Sequence, residues 1–500
     1  MKRRNFLKGS ALAAAAASIP YPSNAKGAAA KDVPNILFIN VDQMSVLDSI
    51  SAYGSQYTST PGIDRLVKNG TSFMQSYSTD PVCCPARASW WTGAYSSEHG
   101  VVVNSTPCHA DMPDLSRLLQ HAGYSTYFTG KWHVPGKSVR DLFHVLHEGS
   151  WWGGMTDTEV TRSACSFLEA YDGKEPFFLN VGYLNPHDIC ITPSTDAARS
   201  TVVDGKKVPP YVGTSVLDEA DIPPVQEAQD YDSREPAILV ACKRGSVDRP
   251  KFNDWSDELW RMHRYNYHRF TEMVDAQIDQ LLDALEQSNF RDDTLIIFAA
   301  DHGEGMGRHR TVAKSTFYDE VCHVPFVVAT LGSLKLRKDV KDSKHLVSGV
   351  DLGRTVCDYA GADGSVLLHG RSLRPLVEGQ DVDWREMLYA ENSAYMHMVT
   401  DGTVKYVREY IENDAFTGLP PCAKTHQTGV EQLFDLERDP NEAKNLAYDP
   451  KYKLVLGKMR TALDRKEGER GSVKAVAPFG QKFMTGRSEA IKKNKIPQKY

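Results

Sequence analysis

The chain has 500 residues, of which 41% are hydrophobic, 24% charged and 10% aromatic. That balance argues against global disorder, and the length fits two to four average domains or one large α/β domain with a smaller companion. A net charge of −6 at pH 7 gives no reason to expect a nucleic-acid partner.

The first thirty residues read as an address. Lys2-Arg3-Arg4-Asn5-Phe6-Leu7-Lys8 is a twin-arginine pattern, an Ala-rich apolar stretch runs from Ala11 to Ile19, and Ser23-Asn24-Ala25 offers a small-residue cleavage site. The apolar stretch is too short to span a bilayer, and no later segment is long and apolar enough to try. The expectation is a signal over 1–30, export of the folded protein by the twin-arginine machinery, no stable membrane span, and a periplasmic or secreted bacterial protein.

Asn35-Ile36-Leu37-Phe38-Ile39-Asn40-Val41 has the continuous apolar pattern of a buried strand and ends at Asp42-Gln43. A second such run, Pro176 to Leu184, ends at Asn185-Pro186-His187. A third, Thr294 to Ala300, ends at Asp301-His302-Gly303. Between the last two, Val274, Ile278, Leu281 and Leu285 mark a helix near Trp255–Leu285. Strands alternating with helices predict a large, mostly parallel sheet covered on both faces. Ligands of such sheets gather beyond the carboxyl ends of the strands, where all three runs finish in polar residues.

The stretch 193–251 is rich in Pro, Asp and Ser without periodicity and reads as a surface insertion shaping the substrate pocket. Near residue 385 the pattern changes. Met387–Ala390 and Thr403–Val407 read as antiparallel strands and Tyr452–Arg465 as a closing helix. The expected division is therefore 31–385 for the main domain and 386–500 for a smaller C-terminal α+β unit with an antiparallel sheet. The basic run Ile491–Lys495 reads as a solvated tail.

Nine cysteines (83, 84, 108, 165, 190, 242, 322, 357 and 422) are scattered without zinc-type spacing and are odd in number, which is not a disulfide framework. Adjacent Cys83 and Cys84 cannot pair without strain, so at least one cysteine needs another fate. Trp90, Trp91, Trp151 and Trp152 read as core, with a pocket lining as the alternative for Trp151-Trp152 beside its glycines.

Cys83-Cys84-Pro85-Ala86-Arg87 contains Cys-x-Pro-x-Arg, with Thr92-Gly93 following. Here the chain resembles the type I sulfatases of the alkaline-phosphatase superfamily. The resemblance runs from about Asn35 to Leu446. It continues in Gly130-Lys131-Trp132-His133, Pro186-His187, Asp301-His302-Gly303-Glu304 with Lys314, Phe317-Tyr318-Asp319-Glu320, Val324-Pro325, and Leu433-Phe434-Asp435-Leu436 with Asp439-Pro440 and Asn445-Leu446. It implies an alkaline-phosphatase-like fold and hydrolysis of sulfate esters.

The resemblance also implies that Cys83 is oxidised to formylglycine (3-oxoalanine) by a formylglycine-generating maturase. Once hydrated, the aldehyde offers one hydroxyl to attack sulfur and a second that lets the sulfated residue collapse by elimination. A divalent cation would be held by Asp42, Gln43, Asp301, His302 and residue 83. Many relatives carry Asp in place of Gln43 and Asn in place of His302, so this site has one formal charge fewer. Oxygen ligands make Ca2+ the first choice, and the imidazole leaves Mg2+, Mn2+ or Zn2+ open. Arg87, one helical turn after Cys83, would hold the diol. Lys131 and Lys314 would clamp sulfate oxygens. His133 would take a proton from the diol, and His187 would contact the sulfate and protonate the leaving alcohol, although spacing does not decide which histidine is the acid. His309 is a further substrate-contacting candidate, with His99, His109 and His323 in the same weaker class. Export and the 193–251 insertion favour an extracellular sulfated saccharide. The alternatives are a phosphodiester or phosphonate monoester hydrolase and a silent binding homologue.

Overall fold

The computed structural model describes residues 33–150, 152–191, 201–203, 206–208, 222–225, 235–236, 255–392, 396–410 and 429–469. The export address, Trp151, Cys242, Cys422, the basic run at 491–495 and most of the 193–251 insertion lie outside the described residues; within that insertion Thr201–Val203 pairs with Lys206–Val208.

Eight strands form the main sheet. They are β1 (Asn35–Asp42), β2 (Gly70–Tyr77), β3 (Ser125–Gly130), β4 (His144–Glu148), β5 (Phe177–Pro186), β6 (Thr294–Ala300), β7 (Phe326–Ala329) and β8 (Val340–Ser348). Their spatial order is β8-β2-β7-β6-β1-β5-β3-β4. Only β7 runs against its neighbours; every other pairing is parallel. The expected mostly parallel sheet is therefore present, with β1 at its centre between β5 and β6.

The continuous apolar runs follow from burial on both faces. Ile36 and Phe38 of β1 join Phe178, Leu295 and Ile297 in one core, while Leu37 and Ile39 join Leu179, Ile296 and Phe298 in the other. Successive side chains point to opposite faces, so a strand covered twice must be apolar at every step. Helices α1 (Pro61–Lys68), α3 (Gly153–Ala170) and α4 (Asp257–Gln287) contribute to the second core; α2 (Cys83–Thr92) and α5 (Asp351–Ala360) contribute to the first. α4 starts where Ser256 Oγ accepts from the Leu259 N–H at 3.3 Å, and it buries Val274, Ile278, Leu281 and Leu285 as their spacing predicts. Trp90 and Trp91 lie in the first core. Trp152 does not: it precedes the first turn of α3 and is 46% exposed.

A second, antiparallel sheet contains β9 (Leu388–Asn392), β10 (Met396–Thr400), β11 (Val404–Glu409) and β12 (Glu431–Asp435) in chain order, with α6 (Lys453–Gly468) packed on it. The two strands expected there are β9 and β11, and they are separated by β10. Met-His-Met-Val-Thr gave no strand signal because all five residues are buried, including His397, whose Nδ1 meets Glu467 Oε1 at 2.7 Å. On β11, Lys405 has no exposed surface. Its ammonium contacts Asp319 at 2.5 Å, Glu442 at 2.6 Å and the Phe317 carbonyl at 2.7 Å.

Candidate active site

The parallel strands deliver their next residues to one edge of the sheet. β1 presents Asp42 and Gln43, β6 leads into Asp301 and His302, β3 into Lys131 and His133, and β5 into His187. Cys83 and Arg87 come from the first turns of α2, and Lys314 from the loop after β6. Pro85 is tolerated in α2 because N–H groups of a first turn lack intrahelical partners. Gly130 is required where it stands. At φ +102°, a Cβ there would lie 2.0 Å from the Gly182 carbonyl, the same oxygen that accepts the Lys131 N–H at 2.8 Å.

Cys83 Sγ lies 2.7 Å from Lys314 Nζ, 3.1 Å from His302 Nε2 and 3.6 Å from Asp42 Oδ1. His133 and His187 also hydrogen-bond the thiol. Arg87 is fully buried. Its Nε donates to Asp301 Oδ2 at 2.8 Å, Nη2 to Asp42 Oδ2 at 3.3 Å, and Nη1 to Asn40 Oδ1 at 2.9 Å and to the Lys131 carbonyl at 3.2 Å. Lys131 Nζ reaches Asp42 Oδ2 at 2.6 Å. Gln43, at φ +73°, donates its N–H to Asp301 Oδ1 at 3.0 Å, and its Oε1 accepts from Lys314 at 3.0 Å.

Charge sets the protonation states. Burial raises Asp42, but Lys131, His187, Arg87 and Lys314 together hold it well below the usual carboxylate range. Asp301 is pushed up to about 6 by burial and by the negative charge of Asp42. Burial and Asp42 resist ionisation of Cys83, yet Lys314, His302 and Lys131 draw its thiol well below the ordinary value. Burial lowers His133 and His187, with Lys131 adding to both. Burial lowers His302, but the carboxylate of Asp301 and the Cys83 sulfur together outweigh it and raise the ring.

The donor set suits a divalent cation. Ligand atoms of Asp42, Cys83, Asp301 and His302 lie within 4.8 Å of one another, all in buried residues. His302 Nδ1 is engaged with the Gly303 carbonyl at 2.8 Å, which leaves Nε2 aimed at the cluster. The structure carries the encoded thiol at position 83, whose Sγ stands where an oxygen of a hydrated aldehyde would lie.

Every expected cluster residue is thus brought together, whereas His309 is not. It stacks on Tyr318 at 3.5 Å between ring centroids, and its nitrogens meet Glu320 Oε1 at 3.0 Å and the Glu442 carbonyl at 3.3 Å. A ring engaged on both nitrogens and buried has no edge left for a substrate. His99, His109 and His323 likewise contact Ser89, Glu98 and Met74, none of them a cluster residue. Three contributors carried no role in the sequence reading. Asn40 supports Arg87, and its signal was an amide inside an apolar run. Glu304 and Cys190 accept from Gln43 Nε2 at 2.5 Å and 3.1 Å. The seven described cysteines are all free.

Residues 34–362 match the sulfatase family model. The chain belongs to the sulfatase family. It is an enzyme that hydrolyses sulfate esters, in a family whose members use a metal ion and a formylglycine. Residues 307–469 match the C-terminal model of N-sulphoglucosamine sulphohydrolase, and residues 1–20 match a twin-arginine translocation signal. The sulfatase is accordingly exported, to the periplasm or beyond. It is 30% identical over 461 residues to a Delta 4,5-hexuronate-2-O-sulfatase of Bacteroides thetaiotaomicron, covering 87% of this chain and 89% of that one. It is 25% identical over 455 residues to an ulvan-active sulfatase of Formosa agariphila, covering 87% and 80%. Among solved structures, a 2-O GAG sulfatase superposes with a TM-score of 0.72 at 26% identity, covering 87% of this chain and 92% of that one. A phosphonate monoester hydrolase of Agrobacterium radiobacter shares the fold, with a TM-score of 0.67 at 22% identity over 86% and 95%.

Proposed function

We propose that the protein desulfates an extracellular sulfated saccharide, using a formylglycine made from Cys83 by a formylglycine-generating maturase and a bound Ca2+. The observation that carries this reading is the convergence of two lysines, two buried carboxylates and three histidines on Cys83. The saccharide is favoured by export and by the relatives named for hexuronate, GAG and ulvan substrates. We assign residues 31–385 to the catalytic domain and 386–500 to the smaller unit.

Asp42, Gln43, Asp301, His302 and residue 83 would hold the cation; mostly oxygen donors favour calcium. When bound, it supplies a Lewis acid for a sulfate oxygen. Arg87 keeps both carboxylates ionised and oriented. Lys131 and Lys314 hold sulfate oxygens beside residue 83 and neutralise charge that grows as the S–O bond breaks. His133 takes the proton from the hydroxyl at position 83, and His187 gives one to the leaving alcohol oxygen.

The deciding experiment is sulfate release from a panel of sulfated saccharides, with an aryl sulfate and a phosphonate monoester alongside. The protein is co-produced with the maturase, and conversion at Cys83 is checked by peptide mass. Release from one saccharide class, absent in Cys83→Ala, is the expected result. Fully converted protein that ignores every saccharide and cleaves only the phosphonate would overturn the reading.

A further inference from the structure

Trp152 stands apart from the other described tryptophans. It is 46% exposed, while Trp90, Trp91 and Trp260 are buried and Trp132, Trp255 and Trp384 are half-buried. Among the described residues no acceptor meets its indole N–H and no ring stacks on it, whereas Trp132 and Trp384 donate to the carbonyls of Lys137 and Leu346. Two further large apolar side chains of this region are exposed: Met155 at 76% and Met273 at 38%, the latter with its Cε 3.7 Å from where a Cβ on Gly154 would stand. An exposed indole whose N–H is unengaged offers both an apolar face and a hydrogen-bond donor to a ligand.

The position of this patch is fixed relative to the active site. Asp188, the residue after His187, accepts the N–H groups of Gly153 at 3.0 Å and Gly154 at 2.7 Å with its two carboxylate oxygens. Asp157, in the second turn of α3, accepts from Leu184 at 2.8 Å and Asn185 at 2.9 Å. Four hydrogen bonds thus lock the start of α3 to the end of β5. Trp152 leaves the backbone next to one end of that lock, and His187 leaves it next to the other.

We propose that Trp152 is a stacking platform for a pyranose ring on the leaving-group side of the scissile bond. The inference rests on the saccharide reading above. In the role assigned above, His187 would protonate the leaving oxygen, so the sugar that owns that oxygen would lie on the His187 side, and the Gly153–Asp188 hydrogen bond ties the backbone beside Trp152 to the residue after His187. The apolar C–H face of a pyranose matches an indole face.

The test compares fully converted wild type, Trp152→Ala and Trp152→Phe on the saccharide the wild type cleaves best, with inorganic sulfate as a ringless inhibitor. The expected result is a KM about 10-fold higher for Trp152→Ala, mostly restored in Trp152→Phe, with the sulfate inhibition constant unchanged within about 2-fold. An unchanged KM sinks the proposal. A sulfate constant that shifts with KM sinks it too, because Trp152 would then be holding the anion site together. So does a change confined to association with another protein. If the wild type itself releases no sulfate from any saccharide, the substrate reading falls and takes the platform with it; an active wild type with an indifferent Trp152→Ala sinks only the platform.

Discussion

Arg87 divides its guanidinium among two carboxylates, an amide and a carbonyl, all buried. A lysine has the charge but not the fork, and cannot reach Asp42 and Asp301 at once. Arg87→Lys is therefore expected to weaken Ca2+ binding about 10- to 100-fold, read by calorimetry on the purified protein. The sequence placed Arg87 one turn from Cys83. It did not show that the guanidinium serves the carboxylates, because those partners arrive from strands 45 residues upstream and 214 downstream. The sequence put Gln43 among the proposed ligands but did not show its orientation. Glu304 accepts from Nε2, and this turns Oε1 toward Lys314 and the cluster. Glu304→Leu should release the amide and lower Ca2+ affinity about 10-fold, whereas an unaltered affinity would remove Gln43 from the ligand set. Chelation supplies a third check. Added Ca2+ should raise the melting temperature of the wild type in proportion to the logarithm of its concentration, and Asp301→Asn should abolish the response.

The strands that carry the site were the most legible elements, since burial on both faces leaves an unbroken apolar run bounded by polar residues. The ends of such strands are tightly specified. Gly130→Ala would drive a Cβ into the Gly182 carbonyl and force an unfavourable positive φ, displacing Lys131. A loss of at least about 2 kcal/mol is expected, together with most of the activity, by thermal melting and sulfate release on the same preparation. Weakly charged activity with an unchanged melting temperature would contradict the close approach. β10 was missed because its alternation is hidden: histidine and methionine share buried positions, and the residue that makes His397 acceptable, Glu467, lies on α6 far along the chain. Pairing of that kind is tertiary information.

Across the whole molecule, one buried ammonium links the two sheets. Lys405 reaches from β11 to Asp319 and Glu442, and Asp319 sits five residues after Lys314. Removing one partner of a buried ion cluster leaves the others uncompensated, so Lys405→Met should cost about 3–5 kcal/mol. Despite burial, Lys405 and His323 hold Asp319 far below the usual carboxylate range. A carboxylate depressed on folding contributes stability that is present above its unfolded value, about 3.9, and lost as pH falls below it. The wild type should thus lose stability steeply below about pH 4, and Lys405→Met, lacking the cation, should lose less over the same interval; equal slopes in acid-denaturation curves would refute the link.

Cys83 has no exposed surface, and the groups that enclose it come from as far apart as Asp42 and Lys314. In the folded chain a second protein would have to displace those side chains to reach it. The maturase proposed above would therefore have to reach that thiol while the chain is still open, before β1 closes against β6. The result is a race with one finish. A molecule that closes first is sealed with its thiol intact, and no later exposure to the modifying machinery reaches it unless the fold is first undone. On that reading, the proportion of working enzyme would be a record of elapsed time, written before the protein leaves the cell.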